Sequence, residues 1–187
     1  TKGYFGRNGV LSHDLRARTE LTQSQQVWVA RGGTLPRPWP APEITEIEAG
    51  FTYQGDGWTL GSARATHAQP ILECLGFSVE AEGKKFVYSG DTGINPDITR
   101  LCQDADFLLH WCYRGSGEQL HPALQAFSPD PAEVAQMAQG AGVKRLYLTH
   151  FRVHMDSEDG HQKAHADLQH HFQCDSGVVE DLDVYEI

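Results

Sequence analysis

Short apolar runs alternate with helical patterns over most of the 187-residue chain. The runs are rich in β-branched and aromatic residues, each is bounded by turn or polar residues, and they cover residues 58–66, 75–81, 84–88, 107–109 and 146–148. Helical patterns separate the last three of these runs. Strands that alternate with helices in this way predict an α/β layered domain.

One β-hairpin stands out within this pattern. Two apolar runs flank Glu82-Gly83, a favourable two-residue turn, so residues 75–88 are predicted to form antiparallel strands. Shorter β segments are predicted at residues 44–47 and 51–53, and a closing strand at residues 178–187.

Two helices carry clear start signals. Asn95 precedes Pro96 and can cap a short helix that has proline at its first position. Asp130 precedes Pro131 in the same manner, and Glu133 completes a capping box. We therefore expect helices to begin at both prolines.

The two ends of the chain are harder to interpret. Residues 1–45 show little apolar periodicity and are predicted to be irregular or lid-like, with Trp39 as a possible anchor. Within them, residues 31–42 are rich in glycine and proline and cannot hold a long helix or a central strand. Near the other end, residues 162–172 predict a polar helix.

The amino-acid composition argues against several classes of protein. The chain has 15 Lys and Arg against 25 Asp and Glu, a net charge of -10, which argues against a broad nucleic-acid surface because such surfaces need clustered cations. No apolar run reaches the length of about 18 residues that a membrane span requires, and the first residues do not have the pattern of a signal peptide. Four widely spaced cysteines predict free thiols and a cytoplasmic protein.

Three potential metal ligands each follow a predicted strand. His67 follows residues 58–66, Asp91 follows the strand that ends before Ser89-Gly90, and His150 follows the run that ends at Thr149. Taken alone, Asp91 is more often a turn or helix-cap residue. With histidines at two matching strand ends, a divalent-metal site is the better interpretation, because imidazole and carboxylate are its usual ligands.

These motifs together resemble the metallo-β-lactamase superfamily, in particular its ribonuclease Z-like branch. The residues that carry the resemblance cover about the last two thirds of the chain and read Thr66-His67-Ala68-Gln69-Pro70, Ser89-Gly90-Asp91-Thr92, Ala105-Asp106-Phe107-Leu108-Leu109-His110 and Ala141-Gly142-Val143-Lys144-Arg145-Leu146-Tyr147-Leu148-Thr149-His150-Phe151. The resemblance implies an αββα sandwich in which His67 binds one metal, Asp91 bridges two metals and His150 binds the second. It also implies two Zn²⁺ ions, with Mn²⁺ or Fe²⁺ as alternatives, and hydrolysis by a hydroxide held between them.

Two departures from the family change what we expect. The family's His-x-His-x-Asp-His signature is absent, and by family order Thr1 falls just after the segment that would carry it. The chain therefore resembles the C-terminal portion of such a protein. We expect the remaining ligands, and the cover for an apolar sheet face, to come from a missing N-terminal segment or a companion chain.

The second departure concerns proton transfer. The ribonuclease members carry a histidine and a glutamate where this chain has Phe127-Ser128 and Trp111. This shifts the prediction towards a small ester, lactone or phosphodiester, with nucleic acid unlikely as a partner. His110 is a candidate catalytic residue that assists a proton or supports a ligand, and it could equally be a structural histidine at a strand end.

Two other functions stay open from the sequence. One is a tRNA 3′-processing endonuclease, which would need a basic docking surface. The other is a degenerate, non-catalytic module that pairs with another protein through its uncovered sheet. For the hydrolase we expect a small-molecule substrate, a homo-oligomeric assembly and no membrane association.

Overall fold

The computed structural model describes residues 2–40, 42–67 and 69–187, so Thr1, Ala41 and Ala68, which belong to segments interpreted above, lie outside the described residues. The chain divides into two compact units, Thr1–Glu46 and Ile47–Ile187. No helix within the described ranges is long and apolar enough to cross a membrane.

The first unit is helical, in contrast to the irregular structure that we predicted for it. Its helices are α1 (Lys2–Phe5), α2 (Ser12–Glu20) and α3 (Thr22–Ala30). Thr19 is the one buried residue described in α2, and α3 has none, so these helices lack the apolar stripe that periodicity detects. Residues 31–40 contain no helix or strand, as the glycine and proline content predicted.

Trp39 anchors the segment that follows these helices. Its indole Nε1 donates a hydrogen bond to the carbonyl oxygen of Phe5 at 2.8 Å. The guanidinium of Arg7 lies 5.0 Å from the centre of the Trp39 ring, a cation–π distance. The anchoring role predicted for Trp39 is thus realised within the first unit.

The second unit is built on a seven-stranded sheet whose spatial order repeats the chain order. The strands are β1 (Thr52–Gln54), β2 (Trp58–Arg64), β3 (Leu75–Ala81), β4 (Lys84–Tyr88), β5 (Phe107–Trp111), β6 (Arg145–Thr149) and β7 (Asp175–Val178). Strands β1 to β4 pair antiparallel, and β4 to β7 pair parallel. A mixed sheet with helical connections confirms the predicted α/β class.

The predicted hairpin is present with its predicted boundaries. Glu82 and Gly83 both have positive φ angles, 52° and 74°, as a type I′ turn requires. The strand predicted at residues 44–47 is absent. The closing strand predicted at residues 178–187 is also wrong in position: β7 spans Asp175–Val178, so only Val178 is shared, and β6 ends at Thr149 and offers no partner beyond Val179, whose backbone N–H donates to Leu148.

Four helices connect or follow the strands: α4 (Pro96–Leu101), α5 (Pro122–Gln125), α6 (Pro131–Gly140) and α7 (Glu158–His171). Both predicted caps form. The Asn95 side chain accepts from the backbone N–H of the first turn of α4. The Asp130 and Glu133 side chains make a reciprocal capping box on α6. The sequence did not predict α5, and α7 begins before the predicted residue 162, with Ser157 as its cap.

One face of the sheet is the packed core. Val87, Leu108 and Leu146 are aligned across three neighbouring strands, and all three are completely buried. Side chains from the helices complete the same cluster, including Ile98 of α4 and Val134 of α6. Burying these apolar side chains stabilises the unit by about 1.5–3 kcal/mol for each large residue.

The opposite face of the sheet is apolar but only partly buried. Its half-buried side chains are Leu60, Phe77, Val79, Phe86, Tyr88, Leu109 and Tyr147. Tyr185, beyond β7, packs on part of this face, with its ring centre 4.6 Å from that of Tyr147 and 5.3 Å from that of Phe107. An αββα sandwich has two sheets, and the described residues form one. The sequence led us to expect an apolar sheet face that this chain does not cover by itself, and the partly buried face agrees with that expectation.

Candidate functional site

The predicted ligands follow strands whose carboxyl ends meet at one edge of the sheet. Strands β4, β5 and β6 are parallel, and β2 runs in the same direction as β4 because both are antiparallel to β3. His67 lies beyond β2, Asp91 beyond β4 and His150 directly after β6. Polar side chains at such an edge can converge on one ligand.

Asp91 and His150 are in direct contact. The Nδ1 atom of His150 lies 3.1 Å from Oδ1 of Asp91, across 59 residues of sequence. His150 has a φ angle of 62°, a left-handed conformation that is uncommon for a side chain of this size and that ends β6 abruptly. Both side chains are partly exposed, 34% for Asp91 and 58% for His150, so a ligand can reach them.

The loop that carries His67 is joined to the loop that carries Asp91. Thr66 and Gly93 form an isolated antiparallel bridge, and the Gly93 N–H donates to the Thr66 carbonyl at 2.9 Å. The Thr66 N–H also donates to Oγ1 of Thr92 at 2.9 Å. This pairing brings His67 beside the segment that holds Asp91.

A tryptophan that the sequence did not identify as a site residue links the two histidines. The Trp111 ring centre is 5.1 Å from that of His67 and 6.2 Å from that of His150. Trp111 is only 2% exposed. Side-chain alternation along β5 was the available signal, because Trp111 at the strand's end faces away from the core residue Leu108.

The side chains of His67, Asp91 and His150 are of the types that bind a divalent metal, but they are too few to form a complete site. Two imidazoles and one carboxylate are suitable zinc ligands, and Nδ1 of His67 is buried with no hydrogen-bond partner among the residues that the structure describes. Within the part of the chain that the structure describes, no three His, Cys, Asp or Glu side chains are arranged to hold a metal ion by themselves. The chain thus supplies an incomplete set of donors.

His110 does not occupy the predicted position at a strand end. It lies within β5 and is completely buried on the core face. Burial lowers the pKa of His110 to about 4, although the hydrogen bond from Nδ1 to the Trp111 carbonyl opposes the shift. A neutral imidazole without solvent access exchanges protons poorly with a substrate, and Nε2 of His110 has no hydrogen-bond partner among the described residues, so the catalytic role stays a prediction.

Glycine is required where the chain turns from β4 towards Asp91. Gly90 has a φ angle of 62°, and a Cβ atom at this residue would lie 2.5 Å from the carbonyl oxygen of Leu75. Gly83 in the hairpin turn has a similar φ angle, 74°, but nothing lies within 4 Å of its Cβ position. Comparing substitutions at the two glycines therefore distinguishes the cost of an unfavourable φ angle from the cost of a steric clash.

Gly90→Ala is expected to destabilise the protein by about 2–4 kcal/mol, because it adds a steric clash to an unfavourable φ angle. Gly83→Ala, which changes only the φ preference, should cost about 1 kcal/mol. Chemical denaturation of both variants measures the difference. Equal losses would contradict the close approach of Leu75 to Gly90.

A cleft of about 630 Å³ adjoins the Asp91–His150 pair. It is lined by Tyr88, Thr149, His150, Phe151, Asp156, His161, Val179, Glu180 and Asp181. Burial, with the nearby charge of Asp91, raises the pKa of Tyr88, so its hydroxyl stays protonated and can donate a hydrogen bond. The three acidic residues give the cleft a negative charge.

A buried arginine holds the loop that follows Trp111. Arg114 is 4% exposed and pairs with Asp130 at 3.1 Å and with Glu133 at 2.6 Å. It also donates to the carbonyl oxygens of Ser128 and Glu118. Arg114 thus fixes the loop after β5 against the start of α6.

A second ion pair joins this loop to the segment that follows His150. Arg152 pairs with Glu118, and its guanidinium lies 4.9 Å from the ring centre of Tyr113. The residues that flank Trp111 and His150 are therefore held together by side chains of opposite charge.

Known proteins share this sequence pattern and this fold. A family model described as "Beta-lactamase superfamily domain" matches residues 11–151. Ribonuclease Z of Mycobacterium tuberculosis H37Rv is 30% identical over 128 residues, covering 66% of this chain and 46% of that protein. Ribonuclease Z of Brevibacillus brevis is 39% identical over 113 residues, covering 59% of this chain and 33% of that protein. The chain spans about half the length, or less, of these relatives.

Two solved structures extend the similarity to the fold. A metallo-β-lactamase-fold protein from Bacillus subtilis aligns with a TM-score of 0.60 at 16% identity, covering 72% of this chain and 50% of that chain. The short form of human tRNase Z aligns with a TM-score of 0.55 at 20% identity, covering 88% of this chain and 62% of that chain. These alignments confirm the predicted fold.

Proposed function

Because the chain belongs to the metallo-β-lactamase superfamily and is ribonuclease Z-like, we propose that it forms part of a metal-dependent hydrolase. The observation that carries this proposal is the contact between Asp91 and His150 at the carboxyl edge of the sheet. The bridge between Thr66 and Gly93, which brings His67 to the same edge, supports it.

His67, Asp91 and His150 would hold zinc together with further ligands from protein outside this sequence. Two zinc ions would be bound in the complete site, with Asp91 as one of their ligands. When bound, zinc lowers the pKa of water and polarises the oxygen of the bond to be cleaved. Asp91 and His150 would hold the metal in position beside the cleft. The Tyr88 hydroxyl would donate a hydrogen bond to a substrate in the cleft.

We propose a small ester, lactone or phosphodiester as the substrate. The acidic residues Asp156, Glu180 and Asp181 line the cleft beside His150 and would repel a polyanion. The net charge of the chain, -10, acts in the same direction. Hydrolysis adds water across the ester bond, so that an acid and an alcohol are released.

A tRNA 3′-processing endonuclease is the second candidate. It is favoured by the ribonuclease Z relatives, which are 30% and 39% identical over the matched residues. Under this candidate, RNA would contact a surface other than the acidic cleft, and binding would weaken steeply with salt.

Zinc content and two substrates separate these functions. We expect about two zinc ions per complete site, hydrolysis of bis(p-nitrophenyl) phosphate or a p-nitrophenyl ester, and no cleavage of a precursor tRNA. Cleavage of the tRNA with strongly salt-dependent binding would favour the endonuclease instead. Absence of zinc and of both activities would favour a non-catalytic module.

A variant that neutralises two acidic residues of the cleft further separates the ester hydrolase from the tRNA endonuclease. Replacing Glu180 and Asp181 with Gln and Asn should leave the KM for a neutral ester unchanged within about twofold, because neutral substrates feel little of this charge. A matched pair far from the cleft in sequence, Glu43→Gln with Glu46→Gln, is the control. A large gain in tRNA affinity in the first pair alone would show that RNA passes over the cleft.

A further inference from the structure

Trp111 has a buried hydrogen-bond donor without an acceptor. Its indole Nε1 is buried and has no partner among the described residues. Leaving such a donor unpaired costs about 1–3 kcal/mol, and native proteins rarely do so without a reason. The unpaired donor lies in the candidate site, since the Trp111 ring packs near both His67 and His150.

Other indoles in this chain show the usual structural arrangement. Nε1 of Trp28 donates to the carbonyl oxygen of Thr34 at 2.9 Å, and Nε1 of Trp39 donates to that of Phe5 at 2.8 Å. Trp111 is more deeply buried than either, yet lacks such a bond. Simple packing of a large aromatic ring therefore does not account for it.

The surroundings of the Trp111 ring point to a ligand. Its centre is 5.1 Å from the His67 ring and 6.2 Å from the His150 ring, so the indole packs near both predicted imidazole ligands. Among the described residues, Nδ1 of His67 is also buried without a partner. Two rings in contact thus each carry an unpaired nitrogen atom, which is the arrangement expected where a polar ligand binds.

We propose that Trp111 Nε1–H donates a hydrogen bond to the carbonyl or phosphoryl oxygen of the substrate. This inference rests on the proposed function and specifies how the same site recognises its substrate. An indole N–H is a neutral donor that does not titrate, so it can stabilise negative charge that develops on the oxygen without transferring a proton. The substrate class is thus one with an acceptor oxygen at the reacting centre.

NMR of the complete zinc-loaded assembly, in which this chain carries ¹⁵N-labelled indoles, tests this contact directly, with inorganic phosphate as the probe. The Trp111 indole signal is assigned by its loss in Trp111→Phe. We expect its proton to shift downfield on phosphate addition, while the signal of the exposed Trp58 stays unchanged. No shift at Trp111 under saturating phosphate would overturn the inference.

An isosteric substitution tests the catalytic consequence. β-(3-Benzothienyl)alanine incorporated at position 111 replaces the N–H with sulfur and keeps the ring shape. We expect kcat to fall on the order of 100-fold with unchanged zinc content and unfolding midpoint, because one oxyanion donor is lost. An unchanged kcat with zinc still bound would contradict the inference and leave the hydrolase proposal intact.

The two proposals can fail separately. If the protein binds no zinc and hydrolyses neither ester nor phosphodiester, the proposed function is overturned. A phosphate-induced shift of the Trp111 indole in that case would still support the donor role towards an oxyanion. Zinc binding and hydrolysis without the shift would overturn only the role of Trp111.

Discussion

Replacement of Asp91 with alanine is expected to lower kcat/KM for ester or phosphodiester hydrolysis by about 10³-fold. Under the proposed function Asp91 is a metal ligand, so its loss would remove several kcal/mol of transition-state stabilisation, and each 1.4 kcal/mol corresponds to a factor of about ten. The variant should also retain less zinc, which metal analysis after gel filtration measures. Because Asp91 is partly exposed and its described side-chain partner is His150, the fold should persist.

Asp97→Asn is the matched control for this substitution. Asp97 lies in the first turn of α4, close to Asp91 in sequence, and pairs with Arg100 at the surface. Its replacement should leave zinc content and activity unchanged. Full hydrolytic activity in Asp91→Ala would overturn the assignment of Asp91 to the site.

Replacement of Arg114 with alanine should destabilise the second unit by about 3–5 kcal/mol. The substitution leaves the carboxylates of Asp130 and Glu133 without their cation, and it removes donors from two backbone carbonyl groups. The cost comes mainly from Asp130, whose side chain is only 14% exposed and would be left poorly solvated, whereas the half-exposed Glu133 keeps its contact with solvent. The midpoint and slope of urea unfolding measure the change.

Arg100→Ala is the surface counterpart. Arg100 also pairs with an aspartate, Asp97, but its side chain is 64% exposed. Solvent screens this pair, so its loss should change stability by less than about 0.5 kcal/mol. A similar loss in both variants would contradict the buried role of Arg114.

The elements that the sequence predicted well depend on local chemistry. Glu82-Gly83 specifies a two-residue turn by itself, and the caps Asn95 and Asp130 act on the first turns of their own helices. Such signals lie within a few residues of the structure they specify. The boundaries of the hairpin and the starts of α4 and α6 could therefore be predicted.

The helices of the first unit were missed for a physical reason. Periodicity detects a helix through its buried apolar stripe, and α2 and α3 bury almost nothing among the described residues. Their signal was intrinsic propensity, since leucine, arginine, alanine and glutamine favour helices without any pattern. Helix α5 was missed because one turn after His121-Pro122 is too short to show a period.

The site was predicted in part. Strand ends identified His67, Asp91 and His150, and the structure brings Asp91 and His150 into contact. The burial of His110 and the position of Trp111 beside His67 were missed because strand β5 extends two residues further than the apolar run suggested. Whether a residue at a strand end faces the core or the sheet edge depends on register, which neighbouring strands set.

The order of the strands has a consequence for how the molecule is made. Every strand pairs with the one synthesised just before it, so the sheet can grow from β1 to β7 as the nascent chain leaves the ribosome, without waiting for a distant partner. Asp91 emerges in the middle of this sequence, and His150 only after β6. The contact between Asp91 and His150 therefore cannot form until β6 has been synthesised and has paired with β5.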